Sequence, residues 1–501
     1  MKKFFAFAAL TALVLSLATA SLAEPKYKEH IVYGDAGQIV LLDPHGSNND
    51  NEQHGRLFIM SHDRLSYYNN ETKQLEPQLA KSWEFNDTFD KIRMVLRDDV
   101  KFQNGEPFVA ADVEFSLGRK RAGPITQFYD HSEIVNDHEI VICLKKPNTD
   151  FIALLATTPA SIVSKKTCEA DPKNGFAVGT GPWVIDVDKY VPADRVELHR
   201  NDDYWGEKPK TKFFTFRYFG NASSRLIAVQ NNEVDVTYDI SFNEVEDAKA
   251  DPNIEVVPYS GTSTQYLAFN NTNGPATDIN LRMAIAYAIN RDEILAVVGD
   301  PYGKVTYTQF NWAASGYKPD FATDISYNPE KAKEYVAKCN GNTKLQIMVN
   351  TTSEVYKDEA EVIQEQCRKV GIDIEIWEVD GAGLSANSRY RSPKHQALIY
   401  AISYGMYNSD IARTLGVDSN ANKGIVNDAR ITELLNEGVR TLDPEKVKAI
   451  YGEIQDIVHD KAYYVPLFYR SKTLVWRKGF KGVTPDPLSR HNFRYAYLEE
   501  K

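Results

Sequence analysis

Between Lys91 and Arg97 the chain alternates. Ile92, Met94 and Leu96 are apolar, and Arg93, Val95 and Arg97 stand between them. That two-residue period marks a strand with one buried face. The surrounding text predicts a local unit: a short helix over Pro77 to Ser82, a strand pair, a turn at Asn104-Gly105, and a second helix. Asp112 falls in the first turn of that second helix, where a negative charge suits the helix dipole. Strand-like runs continue at Glu139 to Leu144, Trp183 to Val187, Val196 to His199 and Phe213 to Tyr218.

From Asp278 the period changes. Leu281, Ala284, Ile285, Ala288 and Ile289 share one helical face, with Asp278 or Asn280 placed to cap it. A helix from Pro329, a strand over Leu345 to Val349 and a helix ending at Val370 follow. Ile372, Ile374 and Ile376 then alternate as a strand, and a helix runs from Lys446 to His459. This order predicts an α/β protein with helices packed on a sheet. The strand-like tail from Tyr464 to Trp476 and onward leads back toward the first part of the chain. Two α/β lobes joined by such crossings place a ligand cleft between them, closed by a hinge motion.

The ends and the charge narrow the class. Met1-Lys2-Lys3, an apolar run from Phe4 to Leu17 and small residues to Ala23 read as a secretory leader, cut after Ala23 or after Ala20. No cysteine follows the apolar run, so no lipid-attachment site is offered. Removing Lys2 and Lys3 takes the formal charge from −11 to −13. An acidic surface argues against nucleic acid or anionic lipid as the main partner.

Export permits disulfides. Cys339 lies on a helical stripe with Ala332, Tyr335 and Val336, and Cys367 on one with Ile363 and Val370. A Cys339–Cys367 bond is one reading; two small core residues is the other. Neither that pair nor Cys143 and Cys168 has zinc-ligand spacing, and His45, His54 and His62 form no HExxH pattern.

Several short motifs recur in a fixed order. They are Leu42-Asp43-Pro44, His62-Asp63-Arg64-Leu65, Leu75-x-Pro77-x-Leu79-Ala80-x-Ser82-Trp83, and Lys101-Phe102-x-x-Gly105-Glu106-Pro107-Phe108. Gly179-Thr180-Gly181-Pro182-Trp183, Asn201-x-x-Tyr204-Trp205, Asn232-Glu233-Val234-Asp235, Tyr266 to Asn270 and Val465-Pro466-Leu467-Phe468 complete the series. In this order they resemble the extracytoplasmic solute-binding proteins of peptide and nickel ABC importers. Trp83, Trp183 and Trp205 read as core. Gly179 to Pro182 reads as a structural turn, since it lacks the spacing of a phosphate loop.

The resemblance implies a two-lobed periplasmic-binding-protein fold. Residues 24–270 would form lobe I, with a subdomain inserted at roughly 66–190. Residues 271–475 would form lobe II, and 476–501 would return to lobe I. It also implies three ligand-contacting regions: Tyr33 to Gln38; the hinge strand with Thr264 and Tyr266; and Trp312, Arg389, Arg391, Tyr404, Tyr407, Asn408 and Asp410 in lobe II. Peptide-binding relatives place an aspartate for the ligand's ammonium after a Gly-Trp pair. Here Met406 replaces the tryptophan and Asp410 is the one acid at hand. Arg389 or Arg391 would suit a carboxylate, since a guanidinium forks onto both oxygens.

The function implied is capture of a short peptide or related polar solute by a monomer, and delivery to an inner-membrane ABC permease, with no cofactor. The alternatives are an opine, an amino-acid conjugate, an oligosaccharide or a metal–metallophore complex, or a sensory or chaperone-like role. Ser315-Gly316-Tyr317-Lys318 fits the SxxK pattern of serine acyltransferases, but no Lys-Thr-Gly follows.

Overall fold

The structure is a computed structural model. It describes residues 26–46, 52–69, 72, 74–119, 125–311, 314, 316–318, 325–351, 354–390, 393–403 and 408–500. The expected leader over residues 1–23 lies outside them.

One mixed sheet of eleven strands runs through the molecule. Its path is Asp373–Val379, Lys344–Asn350, Ala397–Ser403, Ile254–Phe269, Tyr464–Arg477, Val236–Tyr238, His30–Asp35, Phe213–Tyr218, Arg195–Arg200, Trp183–Ile185, and the eleventh strand, Lys304–Val305, pairs with Tyr464–Arg477 off that path. The two longest strands, Ile254–Phe269 and Tyr464–Arg477, lie side by side at its centre and belong to both halves. Residues 254–260 pair with 471–477 in the half that holds the chain's beginning. Residues 264–268 pair with 464–469 in the other half, beside Ala397–Ser403. These two strands are the hinge strands of the fold.

The second half has the expected alternating order. Leu345, Ile347, Val349, Ala397 and Ile399 bury one sheet face against Leu281, Ile285, Ala360, Ile363 and Cys367 of the covering helices. Asp278 caps the helix Ile279–Ala288 by accepting from Asn280 N at 2.8 Å. Asn328 and Asp443 cap the helices that open with Pro329 and Pro444. Proline suits those first positions because its missing N–H has no partner there anyway.

A separate antiparallel sheet runs in the order Ala80–Phe85, Lys91–Leu96, Glu139–Leu144, Tyr129–Asn136. Ile92, Met94 and Leu96 face its own core with Phe102, Phe108 and Val113, while the residues between them are exposed. Asp112 takes its place in the helix Ala110–Gly118 and accepts from Val109 N at 3.0 Å.

Two expectations are corrected. Pro77 to Ser82 is no helix: Gln74–Pro77 is a strand paired with Ser66–Asn69, and Ala80–Phe85 pairs with Lys91–Leu96. Cross-strand pairing overrides the local helical reading there. The cysteines are free thiols, Cys339 and Cys367 included. Cys367 is buried in the second-lobe core, and Cys339 Sγ donates to Tyr335 O within its own helix. Both therefore serve as small packing residues.

The chain's tail does run back. Phe493, Ala496 and Leu498 join Ile31, Tyr33 and Phe214 in one core, and Tyr497–Glu500 pairs with Lys26–Tyr27. Among the described residues, no helix is long and apolar enough to cross a membrane.

Candidate functional site

The regular pairing of the hinge strands breaks between Ser260 and Thr264. Ser260 faces Ser471, and the next pair is Thr264 with Tyr469. Gly261, Thr262 and Ser263 thus stand opposite Arg470 alone. Such an irregularity interrupts the ladder and bends the strand. It falls where the two halves of the sheet meet. Ala397–Ser403 ends at this level, since Ser403 pairs with Ser263, and the parallel strand Lys344–Asn350 ends beside Tyr400, just short of it. In open α/β sheets the crevice beyond the carboxyl ends of the strands is where ligands bind.

The first lobe's wall carries charges that are already paired. Arg56 donates to both oxygens of Asp35, at 2.7 and 3.1 Å, and to Tyr238 Oη at 3.1 Å. It also donates to Ser489 O. Its guanidinium lies 4.3 Å from the centre of the Tyr238 ring. Tyr259 Oη meets Ser489 Oγ at 3.0 Å and His491 Nε2 at 3.2 Å, and Asp486 N donates to His491 Nδ1 at 3.0 Å. Burial, then the nearby Arg56 and Lys472, holds His491 well below the usual imidazole range, so it is neutral.

The second lobe's wall is different. Among the described residues, buried Gln265 has neither amide atom hydrogen-bonded, and the hydroxyls of Thr262 and Thr264 also have no partner. Gln265 lies on the sheet face shared with Leu267 and Phe269, which packs against Ala360 and Ile363. Beside Ala360 is Glu359, with no exposure and, among the described residues, no hydrogen bond to either oxygen. Burial pushes its carboxyl up to about 8, against the opposing pull of Arg470. Buried polar groups are nearly always hydrogen-bonded, so unpaired ones ask for a ligand or a water.

The expected ligand residues are placed unevenly. Thr264 and Tyr266 are at the hinge and buried; the Tyr266 ring meets Tyr464 edge-on at 5.2 Å and Tyr400 at 6.2 Å. Tyr33 is packed in the first-lobe core against Phe216 and Phe493, its hydroxyl without a partner. Gln38 is exposed. Asn408 stands at the N-terminus of the helix Ser409–Leu415. Asp410 is 8% exposed and accepts from Arg413 Nε at 3.1 Å, one helical turn on. Arg389 is exposed, just beyond the helix Gly381–Asn387. Trp312, Arg391, Tyr404 and Tyr407 lie outside the described residues.

Sequence reasoning missed Glu359 and the Asp35–Arg56 pair. Glu359 had a signal: it sits four residues before Ile363, on the helix's apolar stripe. The Asp35–Arg56 pair had none, because it joins a strand end to a helix with no local pattern.

The other motifs are structural. A side chain at Gly179 would begin 2.2 Å from Ser61 O, and one at Gly181 would begin 2.6 Å from Met60 O. Those glycines permit a close backbone crossing. Lys318 is ion-paired with Asp456, and Ser315 lies outside the described residues. His45 and His62 are buried against the carbonyls of Ser161 and Phe176.

Comparison with known proteins agrees with this architecture. The profile for bacterial extracellular solute-binding proteins, family 5 (middle), matches residues 74–423. The dipeptide-binding protein of Escherichia coli K12 is 25% identical, over 97% of this chain and 97% of its own length. The nickel-binding periplasmic protein of the same strain is 26% identical, over 82% and 84%. Among solved structures, the ABC transporter substrate-binding protein CtaP of Listeria monocytogenes superposes with a TM-score of 0.84 at 21% identity, covering 95% of this chain and all of that one. With a two-lobed α/β fold and a matched span from the inserted sheet to the second lobe, this chain belongs to the family 5 bacterial extracellular solute-binding proteins.

Proposed function

We propose that this chain is the periplasmic solute-capturing component of an ABC importer, and that its solute is a short peptide or a related small polar molecule. Residues 24–270 and 476–501 act as one lobe, with 66–190 inserted, and 271–475 as the other. A leader ending at Ala23 directs export. The monomer closes on its solute and presents the closed form to an inner-membrane permease, without itself catalysing a reaction. Closure is favoured in proportion to how much better the closed state binds.

The observation that carries this reading is the set of unpaired polar groups at the hinge: Thr262, Thr264, Gln265 and Glu359. Thr264 lies on the hinge-strand face shared with Tyr266 and Ala268, Gln265 on the opposite face shared with Leu267 and Phe269, and Glu359 on the helix that covers that second face. A solute with amide and ammonium groups would satisfy those on the side it occupies. The peptide-binding relative, similar along almost the whole chain, supports the solute class.

One observation favours a second reading. Asp410, the acid expected to hold a ligand's ammonium, is bonded to Arg413 on its own helix. A solute without an α-ammonium, such as an opine or a metallophore, would not need it.

Native mass spectrometry of the purified mature protein, before and after unfolding and refolding, separates these. A co-purified peptide supports the first reading. A co-purified opine, sugar or metal complex supports the second. A protein that carries no solute, and whose refolded form gains no thermal stability from dipeptides, opines or metal chelates, would sink both.

A further inference from the structure

A cavity of about 880 Å³ lies in the first lobe, bounded by the helix Glu52–Ser61, the hairpin of Ser66–Asn69 and Gln74–Pro77, the Trp205 turn and residues 482–495. No residue between 271 and 475 lines it; at Asp486 it borders the first-lobe wall of the hinge crevice. Its size falls in the usual range for small-molecule sites, ~300–1,000 Å³.

Arg64 forms part of its wall. The residue is only 3% exposed, and its Nε is buried without a hydrogen-bond partner. Among the described residues its guanidinium has no carboxylate within ion-pair distance. The adjacent Asp63 is fully used elsewhere. It accepts from Arg494 at 2.6 Å, Gln78 at 2.9 Å, Thr180 at 3.0 Å and Trp205 at 3.0 Å. Burial and the nearby Arg494 lower the Arg64 guanidinium to about 10, still charged at neutral pH. A buried charge without a counter-charge is costly unless something pairs with it.

We propose that this cavity is a second binding site, and that it takes a small organic carboxylate seated on Arg64. One unpaired guanidinium fork matches the two oxygens of a carboxylate. Arg494 is already committed to Asp63, so a second free cation for a dianion is not offered by it. Ile59, Tyr67, Leu75, Trp205 and Tyr495 supply apolar and aromatic wall for the rest of the molecule. Glu207 and Asp486 also line the cavity and disfavour further negative charge; Arg490 lines it too and has partners of its own.

The test uses 4-fluorobenzoate as probe, followed by fluorine NMR on the full mature protein. Saturable binding is expected, unchanged when a dipeptide saturates the hinge crevice. The neutral isostere 4-fluorobenzyl alcohol should bind at least tenfold more weakly. Arg64→Leu should weaken fluorobenzoate at least tenfold, and Arg64→Lys by less. Should Arg64→Leu fail to fold, Leu75→Trp, which fills the cavity from the hairpin, should abolish binding on its own. Inorganic phosphate should displace the probe only at concentrations at least tenfold above those of benzoate. Equal binding of the alcohol, full affinity in Leu75→Trp, displacement by dipeptide, or equal potency of phosphate would each overturn the assignment.

Discussion

The two walls of the hinge crevice treat buried charge in opposite ways. In the first lobe, Asp35 and Arg56 neutralise each other, and Tyr238 and Ser489 take up the remaining donors of Arg56. In the second, Glu359 is fully buried with both oxygens unpaired, near an equally unpaired Gln265. The charges of the first wall are neutralised without a ligand, and of the groups beside them the Tyr33 hydroxyl is left without a partner among the described residues. The second is complete only when something else supplies hydrogen bonds. On the proposed function, specificity for the solute would rest on the second lobe, with the first lobe as the surface it closes against.

The sharpest way to break that contrast is to remove one member of the complete network. Arg56→Met leaves Asp35 buried and uncompensated. Breaking a buried pair in this way typically destabilises by about 3–5 kcal/mol. Chemical denaturation should show that loss, and Asp35→Asn combined with Arg56→Met should recover part of it. A single variant as stable as the parent would mean the pair is not the scaffold described.

The same contrast predicts a pH profile with two sides. Burial lowers His45 to about 4 and His62 to about 3 in the first lobe. Their contribution is fully present above the unfolded value near 6.5 and is lost as pH falls toward those values. Glu359 runs the other way. Its carboxyl rises from 4.5 to about 8, so its contribution is present below 4.5 and is lost as pH rises through 8. At about 1.4 kcal/mol per unit, each side amounts to several kcal/mol, and the acid side is the larger because the two histidines add. Stability of the ligand-free protein should peak near about pH 6. A flat melting temperature from pH 6 to 8 would remove Glu359 from the argument.

Glu359→Gln tests the second wall alone. It should abolish the alkaline decline and raise stability at pH 8 by about 1–3 kcal/mol, because no buried charge has to form. If the solute's cationic group sits on Glu359, the same change weakens solute binding at pH 8 by tenfold or more. Stability gained without loss of affinity would make Glu359 a structural acid rather than a solute contact.

Much of the fold was legible from periodicity. Ile92, Met94 and Leu96 are buried where the alternation put them, and Asp278 caps the helix that its position announced. Pro77 to Ser82 failed because its partner strand, Lys91–Leu96, is set by long-range pairing rather than by local preference. The site was less legible. Thr264 and Tyr266 do lie at the hinge. Asp410 was placed in the right lobe, yet a sequence cannot say that Arg413 will occupy it. Glu359 was legible only through its place on the stripe of Ile363 and Cys367, and the core those residues share shows why it is buried.

The smallest effect is the most discriminating. Thr264 has a buried hydroxyl with no partner, and valine has nearly the same shape without the hydroxyl. Where an unsatisfied buried group is removed and volume is kept, stability changes little or improves, here by up to about 1 kcal/mol. Thr264→Val should therefore leave the ligand-free melting temperature unchanged or slightly raised. If the second wall is finished by the solute, that same hydroxyl gains its partner on closure, and the variant should bind about five- to tenfold more weakly. A comparable change in the complete network, Tyr238→Phe, removes the hydroxyl that Arg56 donates to, and should do the reverse: lower stability with little change in affinity. Measuring both variants by calorimetry and melting separates a wall built to stand alone from one built to be completed.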